Sequence, residues 1–320
     1  MSALPLVQIT PRSAGTLERP VERKPAWLKV KAPGGAVFND VRRLLKELRL
    51  NTVCEEAHCP NIGECWDHRA ATFIIMGDIC TRNCAYCAIA HGTPLALDPE
   101  EPANLARAVA EMRMRHIVVT SVDRDDQPNG GAEHFAEVVR QARLHSPETS
   151  IELLIPDFKG SETALRIVVE ARPDILNHNL ETVPRLYRIA RPGGRYDRAL
   201  ELLARARAMD PAMLTKSGLM VGLGETWDEL LQAIRDLRGV GTEILTLGQY
   251  LRPSATHMPV ARFYTPEEFG KLKDFAEGLG YRHVLSAPLV RSSYHAWQQA
   301  ERSGVGSPVS PHLVPRTPYP

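Results

Sequence analysis

The stretch that decides the fold is Thr72–Cys87, TFIIMGDICTRNCAYC, in which an apolar run leads directly into three cysteines. Its first part, Thr72–Met76, predicts a buried β-strand, because short apolar runs rich in β-branched and aromatic residues are typical of parallel sheets. Cys80, Cys84 and Cys87 (the second triplet) follow on the loop that leaves this strand. Barrel enzymes carry their chemistry on such loops. The stretch therefore predicts an α/β fold with a metal-binding loop after its first strand.

The rest of the chain alternates short apolar runs with amphipathic stretches. Predicted strands are Thr72–Met76, His116–Ser121, Ser150–Ile155, Asp174–Asn179, Leu214–Val221 and Glu243–Gln249, with a further apolar run at His283–Ala287. Predicted helices are Val37–Leu50, with Asn39 or Asp40 as its cap, Ala103–Met114, Ala132–Leu144, Glu162–Glu170, Tyr196–Met209, Thr226–Leu237 and Pro266–Leu279. Strand-to-strand intervals of roughly 25 to 45 residues fit repeated βα units. We predict an α/β fold, a partial (β/α)6 TIM-like barrel.

Composition excludes several classes of protein. The chain has 320 residues, with 39 Lys and Arg against 38 Asp and Glu, so its charge favours neither nucleic acid nor a membrane surface as a partner. No apolar run approaches the roughly 20 residues that span a bilayer. Early prolines, Pro5 and Pro11, interrupt any signal peptide. We expect a cytoplasmic protein.

All six cysteines lie between Cys54 and Cys87. Disulfides normally staple small secreted chains, so clustered thiols in a large chain from a reducing compartment indicate metal ligation. The second triplet, spaced C-x3-C-x2-C, supplies three of the four ligands that a cubane [4Fe–4S] cluster usually has, and the fourth iron can take a substrate. The alternative is a zinc site with a distant fourth ligand.

Cys54, Cys59 and Cys65 (the first triplet) are spaced C-x4-C-x5-C and again offer three thiolates. A second cluster is the economical interpretation, and it requires another donor. His58 is one candidate, although its position next to Cys59 favours a solvent-facing role. The hydroxyls of Arg291–Ala296 (RSSYHA) are another, for which a helix cap is the structural alternative.

The second triplet, with Tyr86 just before its last cysteine, resembles the radical S-adenosylmethionine (SAM) superfamily. The whole chain except its ends resembles the lipoyl synthase family, whose members insert two sulfurs into protein-bound octanoyl groups. The matching motifs are ERKPAWL at 22–28, CEEAHCPNIGECW at 54–66, VTSVDRDDQPNGGA at 119–132, ELLIPDF at 152–158, HNLETVPRLY at 178–187, GLMVGLGET at 218–226, QYLRPS at 249–254 and PLVRSSYHA at 288–296.

This resemblance implies two [4Fe–4S] clusters and two SAM molecules for each lipoyl group. The second triplet would hold the cluster that binds SAM and cleaves it to methionine and a 5′-deoxyadenosyl radical. The first triplet would hold an auxiliary cluster that donates the sulfur inserted at C6 and C8. A serine of the RSSY motif would be its fourth ligand, and we favour Ser293 over Ser292, although spacing alone does not separate them.

Candidate SAM contacts lie near predicted strand ends and could equally be structural hydrogen bonders. They are Thr120, Asn129, Gly130, Gly131, Asn179, Glu181 and Lys216, with Arg191 as a partner for a carboxylate. The predicted organisation is an extended or disordered arm (1–25), an N-terminal extension with the auxiliary cluster (26–70), the barrel (71–290), a C-terminal segment supplying the serine (291–302) and a disordered tail (303–320).

The resemblance also implies partners. They are octanoylated lipoyl carrier domains (the E2 lipoyl domain of 2-oxoacid dehydrogenases and the glycine cleavage H protein), a ferredoxin- or flavodoxin-type reductant, and an iron–sulfur cluster carrier for repair. The enzyme alternatives are biotin synthase and a methylthiotransferase, whose auxiliary cysteines would occupy a separate N-terminal domain. A non-catalytic electron carrier or scaffold would suit a shorter chain with four cysteines for each cluster.

Overall fold

The computed structural model describes residues 24–30 and 33–305. Nearly all of the predicted arm and tail lie outside these ranges. In chain order the strands are β1 (Asn51–Thr52), β2 (Thr72–Ile75), β3 (Ile79–Cys80), β4 (Ala90–His91), β5 (His116–Ser121), β6 (Ser150–Leu154), β7 (Ile175–Asn177), β8 (Leu214–Val221), β9 (Ile244–Gln249) and β10 (His283–Ser286). No helix within the described ranges is long and apolar enough to cross a membrane.

The described residues form eleven α-helices. They are α1 (Ala36–Glu47), α2 (Val53–Glu56), α3 (Ile62–Asp67), α4 (Glu101–Met112), α5 (Ala132–His145), α6 (Glu162–Glu170), α7 (Pro184–Ala190), α8 (Tyr196–Met209), α9 (Trp227–Gly239), α10 (Pro266–Gly278) and α11 (Ala296–Arg302). Short 3-10 helices span Ala26–Leu28, Pro128–Gly131 and Phe158–Gly160.

Eight strands form one open sheet in the order β1-β2-β5-β6-β7-β8-β9-β10. β1 is antiparallel to β2 and pairs Asn51 with Ile74, whereas the other neighbours are parallel. Because β1 and β10 are both edges, the barrel is partial. The predicted α/β class is confirmed, and β10 lies within the further apolar run and adds a seventh parallel strand.

Local sequence explains where several helices begin. Thr226 and Thr265 each accept the backbone N–H of a glutamate three residues later, which forms a capping box at the start of α9 and α10. The predicted cap of the first helix at Asn39 or Asp40 is wrong. α1 follows Gly35, whose φ of 122° lets the chain turn into the helix four residues earlier than Asn39.

The interior of the barrel is polar at its centre. Alternate residues of a strand face opposite sides, and Ile117 and Leu153 face outward into the apolar core under the helices. Glu152, on the other side of β6, accepts hydrogen bonds from Lys216 and Asn177. The strands therefore enclose ionised and hydrogen-bonded side chains.

The N-terminal extension and α11 lie at the amino end of the parallel strands. β1 pairs Thr52 with Phe73 near the start of β2, which places α2 and the first triplet at that end. There the first residues of β7, β8 and β9 pack with Ala300 of α11. The loop that carries the second triplet instead follows the carboxyl end of β2. The two triplets are therefore separated by β2.

Candidate active site

The second triplet lies on a loop held by backbone contacts from both sides. The Sγ atom of Cys80 accepts the backbone N–H groups of Arg82, at 3.4 Å, and Asp123, at 3.3 Å. A turn brings the backbone N–H of Cys87 to 3.0 Å from the carbonyl of Cys84. From the opposite side, the His257 ring donates to the carbonyl of Cys87 at 2.9 Å. The loop is thus shaped by the protein's own contacts.

Arg82, within this loop, binds the loops that follow the next two strands. Its guanidinium donates two hydrogen bonds of 2.9 Å to Asp125 and one of 2.7 Å to Asp157. Burial raises the pKa of Asp157, but Arg82 more than offsets this and holds it well below its usual value. A buried, bidentate arginine of this kind fixes the loop's position relative to the sheet.

Burial disfavours the thiolate forms of the second triplet. It raises the pKa of Cys84 to about 11 and that of Cys87 to about 12, and neighbouring cysteines add to both shifts. Burial also raises the pKa of Cys80. Thiolates bind metals and thiols do not, so a cluster that binds here must displace these protons.

Three of the predicted SAM contacts meet beside this loop. Arg191 donates to the carbonyl of Asn179 at 2.8 Å, and its charge also acts on Cys84 and Glu181. Burial raises the pKa of Glu181, whereas Arg191 and the Asn179 side chain lower it. The Oδ1 atom of Asn179 is buried and lacks a hydrogen-bond partner among the described residues. It is an acceptor available to a ligand.

The predicted Asn129–Gly131 turn packs against the end of β2. Asn129, Gly130 and Gly131 have φ values of 49°, 60° and 82°, so three consecutive residues are left-handed. A Cβ atom on Gly131 would lie 2.1 Å from the sulfur of Met76. The Asn129 side chain donates to Glu133 at 2.7 Å. Close packing therefore accounts for Gly131 without any ligand.

The expected strand-end position is wrong for Lys216. It is the third residue of the eight-residue β8, and its Nζ lies 2.9 Å from the Oε2 of Glu152. Neither side chain is exposed. Lys216 can be buried in this strand because Glu152 supplies the opposite charge beside it. Thr120 does lie near the end of β5, where its hydroxyl donates to the carbonyl of Leu154 at 2.8 Å.

The first triplet and the C-terminal segment line one cavity. Cys54, Cys59 and Cys65 form part of its wall, and Ser293 and Arg291 complete it from the other end of the chain. Burial raises the pKa of Cys54 to about 12 and lowers that of Arg291, which the negative charge of Cys59 opposes. Three sulfur donors, a hydroxyl and a cation therefore share one space.

The other two candidate donors do not line this cavity. Ser292 and His58 are both absent from the described residues that form its wall, and His58 has a left-handed φ of 49°. Thr72 and His116, the first residues of β2 and β5, also line the cavity. This confirms that the cavity lies at the amino end of the sheet.

Comparison with known proteins identifies the family. A radical SAM superfamily profile matches residues 74–237, and the N-terminal domain of lipoyl synthase matches residues 13–59. A lipoyl synthase of Thioalkalivibrio sulfidiphilus is 55% identical over 286 residues, which is 89% of each chain. One of Methylococcus capsulatus is 57% identical over 279 residues, 87% of each. The chain belongs to the lipoyl synthase family.

Two solved structures resemble this chain in fold. Methylornithine synthase (PylB) has a TM-score of 0.50 at 15% identity, over 81% of this chain and 85% of its own. SuiB of Streptococcus suis, bound to S-adenosylmethionine, has a TM-score of 0.51 at 10% identity, over 71% of this chain and 53% of its own. At such low identity the likeness concerns the fold alone. Membership in the radical SAM superfamily implies a [4Fe–4S] cluster and SAM.

The donor set of each triplet fits an iron–sulfur cluster. Each triplet offers three cysteine sulfurs, and cysteine thiolates are the ligands that such clusters take. Within the described ranges, no group of three or more His, Cys, Asp or Glu side chains is placed to hold one metal ion.

Two sets of polar residues in this lipoyl synthase fold were missed from the sequence. The first set is Arg82 with Asp125 and Asp157. Asp125 belongs to the acidic VDRDD stretch at 122–126, and the charge of that stretch did not show that it folds onto the cysteine loop. His116 lines the first triplet's cavity, and its Nδ1 lies 2.7 Å from the hydroxyl of Ser150. A histidine at the start of an apolar strand was the available signal.

Proposed function

We propose that the protein is a lipoyl synthase that inserts two sulfur atoms, at C6 and C8, into an octanoyl group carried on a lysine of another protein. The observation that carries this proposal is the position of the two cysteine triplets at opposite ends of β2, with Ser293 on the wall of the first triplet's cavity. The identity of more than half to lipoyl synthases over most of the chain supports it.

The proposed cofactors are two [4Fe–4S] clusters and two SAM molecules for each lipoyl group. When bound, the cluster on the second triplet with SAM supplies a hydrogen-abstracting radical, and the cluster on the first triplet supplies sulfur. Arg82 keeps the second triplet's loop in place through Asp125 and Asp157. The protein's task is to hold the reacting groups in line and to exclude water.

The polar groups beside the second triplet are suited to the amino-acid end of SAM. Arg191 would face its carboxylate, because guanidinium groups pair with carboxylates. Asn179 would accept from its amino group through Oδ1, which is buried without a partner among the described residues. Glu181 adds an acceptor at the same place. The Asn129–Gly131 turn and Thr120 would bound the pocket.

Ser293 is the proposed fourth ligand at the first triplet. A hydroxyl oxygen is a harder donor than thiolate, so its iron is the easier one to release. That suits a cluster that gives up its sulfur. Arg291, on the same wall, would offset the negative charge of the thiolates. We further propose the division of function into an auxiliary-cluster extension (26–70), a barrel (71–290) and a serine-bearing segment (291–302).

A protein-bound substrate requires partners. Those we propose are octanoylated lipoyl carrier domains, namely the E2 lipoyl domain and the glycine cleavage H protein. A ferredoxin- or flavodoxin-type reductant would supply electrons, and an iron–sulfur carrier would rebuild the consumed cluster. The cytoplasm is the proposed compartment.

The test is anaerobic incubation of reconstituted protein with SAM, dithionite and an octanoyl-lysine peptide. Mass spectrometry should show a peptide with two added sulfurs, and 5′-deoxyadenosine should form at two molecules for each product. A single added sulfur as the end product, or methylthiolation of another substrate, would contradict the proposal.

A further inference from the structure

The C-terminal segment is attached to the first triplet by four residues that we call the latch: Asn61, Glu64, Tyr294 and His295. The Asn61 side chain donates to the carbonyl of Leu289 at 2.8 Å. The Tyr294 hydroxyl donates to both carboxylate oxygens of Glu64, at 3.2 and 3.0 Å. The Nε2 atom of His295 lies 2.9 Å from Glu64 Oε1. These contacts join residues about 230 positions apart.

The hydrogen bond between Glu64 and Tyr294 joins the sequence neighbours of Cys65 and Ser293, which both line the cavity. Glu64 directly precedes Cys65, and Tyr294 directly follows Ser293. The Tyr294 side chain is buried, and its carbonyl accepts the side-chain amide of Gln299 at 2.7 Å. Hydrogen bonds to a carboxylate are stronger than those between neutral groups. The latch therefore fixes the distance from the third cysteine to the serine.

We propose that Glu64 is a positioning residue, which holds Ser293 at the first triplet's cavity and returns it there after it releases iron. Tyr294 donates to both Glu64 oxygens and His295 lies against one of them, so the C-terminal segment engages both oxygens of this carboxylate. The effect of Glu64 on sulfur insertion rests on the proposed function. Its effect on the position of the C-terminal segment does not.

Hydrogen–deuterium exchange tests the holding role directly. In Glu64→Ala, backbone amides of 289–296 should exchange about tenfold faster, which corresponds to the loss of a single hydrogen bond to a charged group. Glu64→Gln keeps an acceptor and should give a smaller increase. Glu55→Ala is the matched control, because Glu55 also lies beside a first-triplet cysteine but its carboxylate is 3.5 Å from Arg42.

Iron release isolates the first triplet. With Cys80→Ala, Cys84→Ala and Cys87→Ala as background, only the first triplet can hold a cluster. Adding Glu64→Ala should make iron release to a chelator roughly 10- to 100-fold faster, because removing groups that orient metal ligands weakens metal affinity by roughly that factor. Adding Glu55→Ala instead should leave the rate unchanged. In the otherwise intact chain, Glu64→Ala should lower the ratio of lipoyl product to 5′-deoxyadenosine.

Tyr294→Phe is the second variant, because it removes the hydroxyl and keeps the ring that stacks on His295 at 4.0 Å. It should move exchange and iron release in the same direction. Wild-type exchange and iron release in both Glu64→Ala and Tyr294→Phe would overturn the proposal. If both rates rise while the unaltered protein makes no lipoyl product, the latch stands and the proposed function fails.

Discussion

Lys216 and Glu152 form an ion pair inside the barrel, with 2.9 Å between Nζ and Oε2. Removing one member of such a pair leaves a buried charge and costs about 3–5 kcal/mol. We therefore expect Lys216→Met to lower the free energy of unfolding by about that amount in urea titrations. Adding Glu152→Leu should restore much of it, since apolar packing replaces the lost pair. If Lys216→Met has wild-type stability but fails to bind SAM, then Lys216 contributes to SAM binding and not to stability.

The same pair predicts a pH dependence. Burial raises the pKa of Glu152, but Lys216 and His116 outweigh it, so the pKa falls from 4.5 to about 2. A lowered native pKa adds stability that is fully present above pH 4.5 and is lost as the pH falls toward 2. The unaltered protein should lose more stability across this window than Lys216→Met with Glu152→Leu. If the two proteins lose the same free energy of unfolding between pH 4.5 and 2, the lowered pKa of Glu152 is contradicted.

Ser293 can be separated from Ser292 by substitution. Ser293→Ala should bind both clusters and retain some SAM cleavage, yet lose most sulfur insertion, because the releasable ligand is gone. Ser293→Cys should hold iron more tightly and also insert sulfur poorly. Ser292→Ala is the matched control and should remain active, since Ser292 is not on the cavity wall. Mass spectrometry of the product distinguishes them, and an inactive Ser292→Ala beside an active Ser293→Ala would move the ligand by one residue.

At the scale of elements, the turn after β5 offers a test of close packing. Gly131→Ala places a Cβ atom 2.1 Å from the Met76 sulfur at a φ of +82°. Overpacking and left-handed strain together should lower the free energy of unfolding by at least about 2 kcal/mol. Gly270→Ala is the control, because Gly270 lies inside α10 with open space around it and should gain up to about 1 kcal/mol. Urea titration measures both, and an unaffected Gly131→Ala would contradict the packing.

Elements with a local signal were predictable, and contacts between distant segments were not. α6 and α8 have the predicted bounds, because amphipathic spacing is written into consecutive residues. The two-residue β1 has no such periodicity. Lys216 reads as a polar residue in a strand, and its partner Glu152 is 64 residues away. Likewise, nothing near Glu64 in the sequence points to Tyr294.

At the scale of the whole molecule, one short strand separates two sites of different chemistry. β2 has four residues, so it is only about 10–13 Å long. The second triplet follows its carboxyl end, and the first triplet's cavity includes Thr72 at its start. The two triplets therefore lie at opposite ends of one short strand, and the buried pair Lys216–Glu152 lies inside the barrel between those ends.

The two triplets should be separable by substitution because each is held by its own contacts. We expect about eight irons in the reconstituted protein and about four after either triplet is replaced by alanine. The variant with Cys80→Ala, Cys84→Ala and Cys87→Ala should form no 5′-deoxyadenosine. The variant with Cys54→Ala, Cys59→Ala and Cys65→Ala should still cleave some SAM, yet it should add no sulfur, because the proposed sulfur source is gone. Iron analysis and mass spectrometry measure these outcomes together. Formation of 5′-deoxyadenosine by the first of these variants would show that the two triplets had been assigned to the wrong roles.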